Sequence, residues 1–296
     1  MNTIALWPTA LEALEALGTH YSPAMDQAAA ELGLSEWNNG WLLPALWFEP
    51  EPISATRLRM RSPYTSARLY DERLAKAARQ GFLTPVAEAD NEYRLTELGR
   101  QAAEHVIGAM YAKLAALQPL SSTELERLAS LLHRLVMSCL TAPEPPRKWF
   151  ILHSRRTDPG DNAKVVVRID RYGSDLAAYR DDAHLAAWQS HNIEGHIWEA
   201  FTYLWRGEAT TLDEFFQKLE RRGYTRDEYQ QALEDLIRRG WAKEEAGKYQ
   251  VTASGQEIRR AAEETTDRYF YAPWSCLSQE ETEDLRTLLI HLHDSL

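Results

Sequence analysis

Tyr70-Asp-Glu-Arg-Leu-Ala-Lys-Ala-Ala-Arg-Gln-Gly81-Phe82, followed by Tyr93-Arg-Leu-Thr-Glu-Leu-Gly99, is a pattern that the chain contains twice. The second copy reads Tyr229-Gln-Gln-Ala-Leu-Glu-Asp-Leu-Ile-Arg-Arg-Gly240-Trp241 and then Tyr249-Gln-Val-Thr-Ala-Ser-Gly255. Each copy predicts a helix that ends at glycine, because glycine adopts the left-handed C-cap conformation without the strain of a Cβ atom. The chain then returns as a hairpin, and Thr96 or Thr252 can cap the helix that follows.

Helix, tight stop, hairpin and helix form the second half of a winged helix-turn-helix. In the first copy, residues 53–61 take the position of its first helix and residues 67–80 that of the recognition helix. Residues 211–219 and 226–239 take these positions in the second copy. The order of the predicted elements, their spacing and the residues that end them match over about 120 residues per copy, which indicates a duplication. A repeated packing unit without any DNA contact is the alternative interpretation.

The predicted fold is mainly α with small β wings, and its two tandem winged helix-turn-helix repeats form an intramolecular pseudo-dimer. The organisation is an N-terminal arm (residues 1–20), a first repeat (21–142), a linker with a connecting helix (143–178) and a second repeat (179–296). Thr141-Ala-Pro-Glu-Pro-Pro146 marks the linker. The arm is predicted to be a helix that ends at Gly18, and further helices are predicted over 24–32, 36–46 and 164–179.

Composition limits the class of protein. The chain has 296 residues and a formal net charge of −11, which argues against non-specific nucleic-acid binding over the whole surface. We found neither a secretory signal nor an apolar run of membrane-spanning length. Two cysteines in such a chain predict reduced thiols and a cytoplasmic location. Ten tryptophans are many for this length. They either fill the core and interfaces or form the walls of a ligand pocket.

Charge distinguishes the two copies as DNA-binding candidates. Residues 53–81 carry seven basic and two acidic side chains, a net charge of +5, whereas residues 210–240 carry six and seven, a net charge of −1. Because phosphate contacts supply much of the affinity for DNA, we expect weak binding of double-stranded DNA, mainly through the first repeat. The predicted DNA-binding residues are Arg57, Arg59, Arg61, Thr65, Ser66, Arg68 and Lys76. A solvated helix with ordinary surface charges is the alternative for this stretch.

A second set of residues predicts a small-molecule site. Arg180, Asp182 and His184 are close in sequence, and an arginine with a histidine can bind a carboxylate. The predicted ligand-binding residues are Arg180, Asp182, His184, Trp188, His196 and Trp41. The simpler alternative is that Asp181 or Asp182 caps the start of a helix. A metal site from His191, His196 and Glu199 has loose spacing, and we predict no metal, no cofactor and no catalytic residues.

The complete element order resembles a MarR-type winged-helix subunit, and two copies in one chain resemble a MarR dimer fused into one polypeptide. Residues 179–287 resemble more specifically a family of tandem winged-helix proteins, the SalK-type or MarR-like regulators. The matching segments are Tyr179-Arg-Asp-Asp-Ala-His184, Arg239-Gly240-Trp241, Thr252-x-x-Gly255, Glu264-Thr-Thr-Asp-Arg268 and Ala272-Pro-Trp274. The resemblance implies DNA binding and a small aromatic acid bound between the copies.

The predicted hairpin tips depart from the MarR pattern. MarR wings carry basic tips, whereas here the first tip holds Glu88, Asp90 and Glu92 and the second holds Glu244 and Glu245. The sequence thus predicts a cytoplasmic, ligand-responsive DNA-binding regulator of MarR-like type, either a monomer that is a pseudo-dimer or a homodimer, with no membrane partner. Enzyme motifs such as a phosphate-binding glycine loop are absent from the sequence. The alternative is a small-molecule binding protein or an enzyme on the same scaffold that no longer binds DNA.

Overall fold

The computed structural model of the chain describes residues 6–34 and 41–296. These residues are mainly helical and carry two small antiparallel sheets, as the sequence predicted. The α-helices in chain order are α1 (Leu6–Glu31), α2 (Leu42–Phe48), α3 (Ala55–Arg61), α4 (Ala67–Arg79), α5 (Glu97–Ala115), α6 (Ser122–Thr141), α7 (Trp149–Ser154), α8 (Val165–Gln189), α9 (Gly195–Trp205), α10 (Leu212–Leu219), α11 (Arg226–Arg238), α12 (Ala253–Tyr271) and α13 (Gln279–Asp294). The strands are β1 (Leu83–Pro85), β2 (Tyr93–Leu95), β3 (Ala242–Glu245) and β4 (Lys248–Val251).

The order helix, helix, hairpin, helix occurs twice, as α3–α4–β1–β2–α5 and as α10–α11–β3–β4–α12. Gly81 and Gly240 follow α4 and α11 with φ of 84° and 73°, so the predicted left-handed glycines are confirmed. Thr96 Oγ1 accepts a hydrogen bond from Gly99 N at 3.0 Å, and Thr252 Oγ1 accepts one from Gly255 N at 3.1 Å. The two predicted threonine caps are therefore also confirmed.

The prediction that one helix ends at Gly18 and a separate helix spans 24–32 is wrong. The helix predicted to end at Gly18 continues as α1 to Glu31, through Gly18 and through Pro23. Both residues weaken a helix, but buried side chains continue along α1, from Leu17 to Met25 and Ala28, and tertiary packing outweighs local propensity. The predicted boundary between arm and first repeat thus lies inside one helix. The helix predicted over 36–46 lies partly outside the described residues.

The chain divides into two compact units. The first, which we call the helical unit, contains the described residues up to Phe48, with Leu95–Ala186 and Thr266–Leu296. In it α1 packs on α5 and α13, and α6 packs on α13. Cys139 is buried on α6 and Cys276 is partly buried, both as free thiols. No helix among residues 6–34 and 41–296 has the length and apolar character needed to cross a membrane.

The helix predicted over 164–179 is confirmed, and it extends as α8 from Val165 to Gln189. Asp181 and Asp182 therefore lie inside a helix, so the prediction that either residue caps the start of its own helix is wrong. Asp182 instead caps a different helix. Its carboxylate accepts hydrogen bonds from Phe150 N at 2.9 Å and Ile151 N at 3.1 Å, at the start of α7.

The second compact unit, which we call the hairpin unit, contains Glu49–Arg94 and Ala187–Thr265. In it α3 packs on α4, and α9 and α10 pack on α11. Each hairpin pairs with a residue that lies two positions before the first helix of its copy. Ile53 forms an antiparallel bridge with Tyr93, and Tyr249 N donates to Thr210 O at 2.7 Å. The two copies therefore share this extra backbone pairing.

Candidate nucleic-acid interface and ligand residues

Helix α4 is the candidate recognition helix of the first copy. Ser66 caps it, with Oγ accepting from Leu69 N at 3.2 Å. Its buried side is formed by Tyr70, Leu74 and Ala77. The exposed side chains are Arg68, Glu72, Lys76 and Arg79. Because these positions recur every three or four residues, they lie on one face of α4, and three of the four are basic.

Helix α11 is the equivalent helix of the second copy and has the opposite charge. Thr225 and Glu228 form a capping box at its start, while Tyr229, Leu233 and Leu236 are buried. The helix carries four acidic and two basic residues, whereas α4 carries two acidic and four basic ones. Asp235 on α11 is paired with Arg238 at 2.8 Å and with Arg239 at 2.6 Å. This face therefore offers little positive charge to a phosphate backbone.

The turns that precede α4 and α11 are in contact within the hairpin unit. Ser66 N donates to Arg222 O at 2.9 Å, and Arg68 Nη2 donates to Gly223 O at 2.6 Å. Arg68 also lies 3.7 Å from Glu228 of α11. Gly223 has φ of 74°, and a Cβ atom there would lie 2.7 Å from Leu69 Cβ. The contact depends on the absence of a side chain at this glycine.

The seven predicted DNA-binding residues fall into different environments. Thr65 and Ser66 are only 4% and 5% exposed, because they pack in the contact between the two turns. Arg59 is paired with Glu194 at 3.3 Å, and Arg68 is exposed but bonded to the second turn. Arg57 and Arg61 are partly buried, whereas Lys76 is exposed. The structure thus places Thr65, Ser66 and Arg68 at the contact between the two turns, and Lys76 lies exposed further along α4.

Arg79 is a basic residue that the sequence-based list omits, although it lies on the same face of α4 as Lys76. Its helical spacing of three from Lys76 was the signal that could have identified it. The hairpin tips remain acidic and exposed, with Glu88 and Asp90 in the first and Glu244 and Glu245 in the second. Acidic tips repel the phosphates that a wing would approach.

Four of the predicted ligand-binding residues belong to the helical unit, and they have separate partners. Arg180 Nη1 is paired with Asp267 at 3.1 Å, and its guanidinium lies 5.3 Å from the ring of Phe270. His184 Nδ1 lies 3.4 Å from Thr266 Oγ1. Trp41 is buried. Arg180 and His184 both face α12, whereas Asp182 faces α7.

Burial governs the electrostatics of Asp182. It raises the pKa of this carboxyl to about 7, although the N–H groups of Phe150 and Ile151 act in the opposite direction. The side chain is nearly inaccessible and its oxygens are engaged by backbone donors. Asp182 is therefore positioned to stabilise the start of α7.

The other two predicted ligand-binding residues, Trp188 and His196, belong to the hairpin unit. His196 stacks on Tyr224, with ring centroids 4.2 Å apart, and burial lowers its pKa. It lines a groove of about 720 Å³ on the side of α11. Glu199, considered above as a metal ligand, accepts two hydrogen bonds from Arg222 Nε at 3.0 and 2.9 Å.

Arg259 on α12 is a buried residue that the sequence analysis missed. Its side chain is 1% exposed, and its guanidinium lies 4.5 Å from the ring centroid of Trp198 and 5.0 Å from that of Trp205. Nη2 donates to Glu263 at 2.6 Å, whereas Nε and Nη1 have no partner among the described residues. In the sequence, Arg259-Arg260 is indistinguishable from an exposed basic pair.

Residues 178–296 match the model of a helix-turn-helix family. This match covers the second copy and supports a helix-turn-helix regulator, which suggests DNA binding. Neither the comparison with curated proteins nor the comparison with solved structures gave a match.

Proposed function

We propose that the protein is a cytoplasmic DNA-binding transcriptional regulator of MarR-like type that responds to a small ligand. Its two winged helix-turn-helix repeats form an intramolecular pseudo-dimer, and double-stranded DNA binds mainly through the first repeat. The observation that carries this proposal is the exposed basic face of α4, formed by Arg68, Lys76 and Arg79. The helix-turn-helix match over residues 178–296 supports the general class.

The charge difference between α4 and α11 supports an unequal role of the two repeats. Each phosphate neutralised by a basic side chain adds affinity and makes binding salt-dependent. Lys76 and Arg79 are free to make such contacts at the exposed end of α4, while α11 and the hairpin tips carry excess negative charge. Binding is therefore weak and is lost as salt increases.

The contact between the two turns supports the same conclusion. Recognition helices that read two half-sites lie about 34 Å apart, one turn of DNA. Here the first turns of α4 and α11 touch, with Arg68 and Glu228 separated by 3.7 Å. The starts of these helices cannot enter successive major grooves in this arrangement. One helix, α4, then supplies the main DNA contact.

A salt titration of DNA binding tests the proposal. Fluorescence anisotropy with a random-sequence duplex measures the affinity of the native chain and of a variant with Lys76→Gln and Arg79→Gln. We expect the variant to bind more weakly, with a log–log salt slope reduced by about 0.9 for each lost phosphate contact. The matched control, Arg226→Gln with Arg238→Gln on α11, removes two exposed basic residues and should leave both quantities unchanged. Equal losses in the two variants would refute a role for α4.

The burial of Thr65 and Ser66 favours a second candidate function. These residues lie where a recognition helix reads base edges, yet both are enclosed by the second turn. This supports a small-molecule binding protein or an enzyme that keeps the winged-helix scaffold without binding DNA. The native chain would then show no anisotropy change at low salt, while still binding a small molecule.

A further inference from the structure

We propose that the turn of the second copy, residues 222–224, makes an autoinhibitory contact that covers the start of α4. In the closed form, in which this contact is made, DNA meets only the exposed basic residues further along α4. In an open form, the start of α4 also reaches the DNA, and binding is tighter. This inference rests on the DNA-binding part of the proposed function and adds its regulation.

The contact engages the donors that a recognition helix offers to DNA. Backbone N–H groups at the start of a helix, and polar side chains near it, contact phosphates and base edges. Ser66 N donates to Arg222 O at 2.9 Å, and Arg68 Nη2 donates to Gly223 O at 2.6 Å. Two carbonyl oxygens of the second copy therefore bind donors that would otherwise be open to the oxygens of DNA.

The sequences of the two helix starts explain why α4 is the helix that is covered. Thr225 N donates to Glu228 Oε2 at 2.6 Å, so α11 completes its own cap through a capping box. The third residue after Ser66 is Leu69, which has no side-chain acceptor to offer in this way. Ser66 N therefore needs an acceptor from elsewhere, and Arg222 O supplies it.

The exposure of the two helix starts has the same asymmetry. Thr65 and Ser66 are buried, whereas Thr225 and Arg226 at the start of α11 are exposed. The covered helix carries an excess of basic residues, and the uncovered one carries an excess of acidic residues. The contact therefore hides the start of the helix that has the greater attraction for phosphate.

Ion pairs that water reaches contribute to closing the contact. Arg68 lies 3.7 Å from Glu228, and the two side chains are 55% and 39% exposed. Arg59 is paired with Glu194 at 3.3 Å, and this pair is also partly exposed. Exposed ion pairs stabilise a protein only weakly, because water competes for both charges. DNA phosphates can therefore replace these carboxylates as partners of the two arginines.

Glu228→Gln tests the contact through charge. Glutamine keeps the capping box but loses the charge that attracts Arg68. The closed fraction reduces the apparent affinity for DNA, so anisotropy at low salt should show roughly twofold to fivefold tighter binding of a random-sequence duplex than in Glu234→Gln. Glu234→Gln is the matched control, because it removes the same charge from an exposed position of the same helix.

Gly223→Ala tests the contact through packing, without a change of charge. The added Cβ atom would lie 2.7 Å from Leu69 Cβ and 2.8 Å from Ser66 Oγ, so the start of α4 has to move away. Gly207→Ala is the control, with the same left-handed backbone and no neighbouring atom within 4 Å. We expect Gly223→Ala to bind the duplex more tightly than Gly207→Ala does.

The NMR resonance of the Ser66 amide distinguishes opening from a general change in stability. DNA should shift this resonance in the native chain, because the acceptor of the amide changes from Arg222 O to an oxygen of the DNA. A Ser66 resonance that stays in place at saturating DNA would overturn the proposal.

The combined results separate this inference from the proposed function. If the native chain binds DNA and each variant binds as its control does, the autoinhibitory contact is refuted and the regulator stands. If neither the native chain nor the two loosened variants bind DNA at low salt, the proposed function falls, and this inference falls with it. Should Gly223→Ala fail to fold, the comparison of Glu228→Gln with Glu234→Gln decides.

Discussion

At the scale of single residues, the most informative side chains have partners that are distant in sequence. Asp182 caps α7 from 31 and 32 positions away, and Arg259 lies between tryptophans that precede it by more than 50 positions. Both side chains are ionisable, and both are removed from water. The cost of burying a charge therefore affects the free energy of folding, and this effect can be measured.

Asp182 predicts a pH dependence of stability. Burial raises its folded pKa from 3.8 to about 7, so between these values the folded chain binds more protons than the unfolded chain. The contribution of this carboxyl to stability is therefore complete below pH 3.8 and is lost as the pH rises through 7. Asp182→Asn cannot titrate, so urea unfolding of this variant from pH 4.5 to 7.5 should show a smaller decline in stability than the native chain shows.

Asp170 supplies a second contribution of the same sign, because burial raises its pKa to about 6. The decline should therefore be reduced in Asp182→Asn but not removed. Asp181→Asn, a change at the exposed neighbour, is the control and should keep most of the native decline. A variant and a native chain with parallel stability curves would show that Asp182 is already ionised in the folded state.

At the scale of elements, the sequence predicted helix ends and caps correctly where they depend on residues that are neighbours in the chain. Gly81 and Gly240 end their helices in the left-handed region, and Thr96 and Thr252 cap the next ones, because these preferences belong to the local backbone. The end predicted at Gly18 failed since packing carries α1 through it. No local pattern could show that Ser66 faces Arg222, because the two residues lie more than 150 positions apart in the chain.

The contact between the turns of α3–α4 and α10–α11 leads to a prediction at this scale. Gly223→Ala imposes a left-handed backbone on a residue with a Cβ atom, which costs about 1 kcal/mol, and also drives that atom against Leu69. Gly207→Ala is the matched control, with φ of 70° and no neighbouring atom within 4 Å of the added Cβ. Urea unfolding should show a larger loss of stability in Gly223→Ala than in Gly207→Ala. Equal losses would mean that Leu69 moves away from the added Cβ atom without lowering the free energy of unfolding.

At the scale of the whole molecule, charge and the contact between turns act together. The chain carries a net charge of −11, so the proposed binding of DNA relies on the local basic face of α4. Composition predicted the overall repulsion and the difference between the copies. It could not predict that the starts of α4 and α11 touch, because this depends on the packing of Gly223 against Leu69. The proposal that a single recognition helix enters the DNA rests on this contact.

The length of DNA required for binding tests that consequence. A protein that contacts DNA through α4 alone needs about one turn, roughly 10 base pairs, whereas two recognition helices need half-sites about 10 base pairs apart, and so a duplex of roughly 20. Anisotropy at low salt with duplexes of about 12 and 30 base pairs, corrected for the number of overlapping sites, should give similar affinities per site. The Lys76→Gln and Arg79→Gln variant controls for contacts outside α4, because it should weaken both duplexes equally. Binding that collapses on the shorter duplex would require α11 to engage the DNA too, and the contact between Arg68 and Glu228 would then have to open before the second groove is reached.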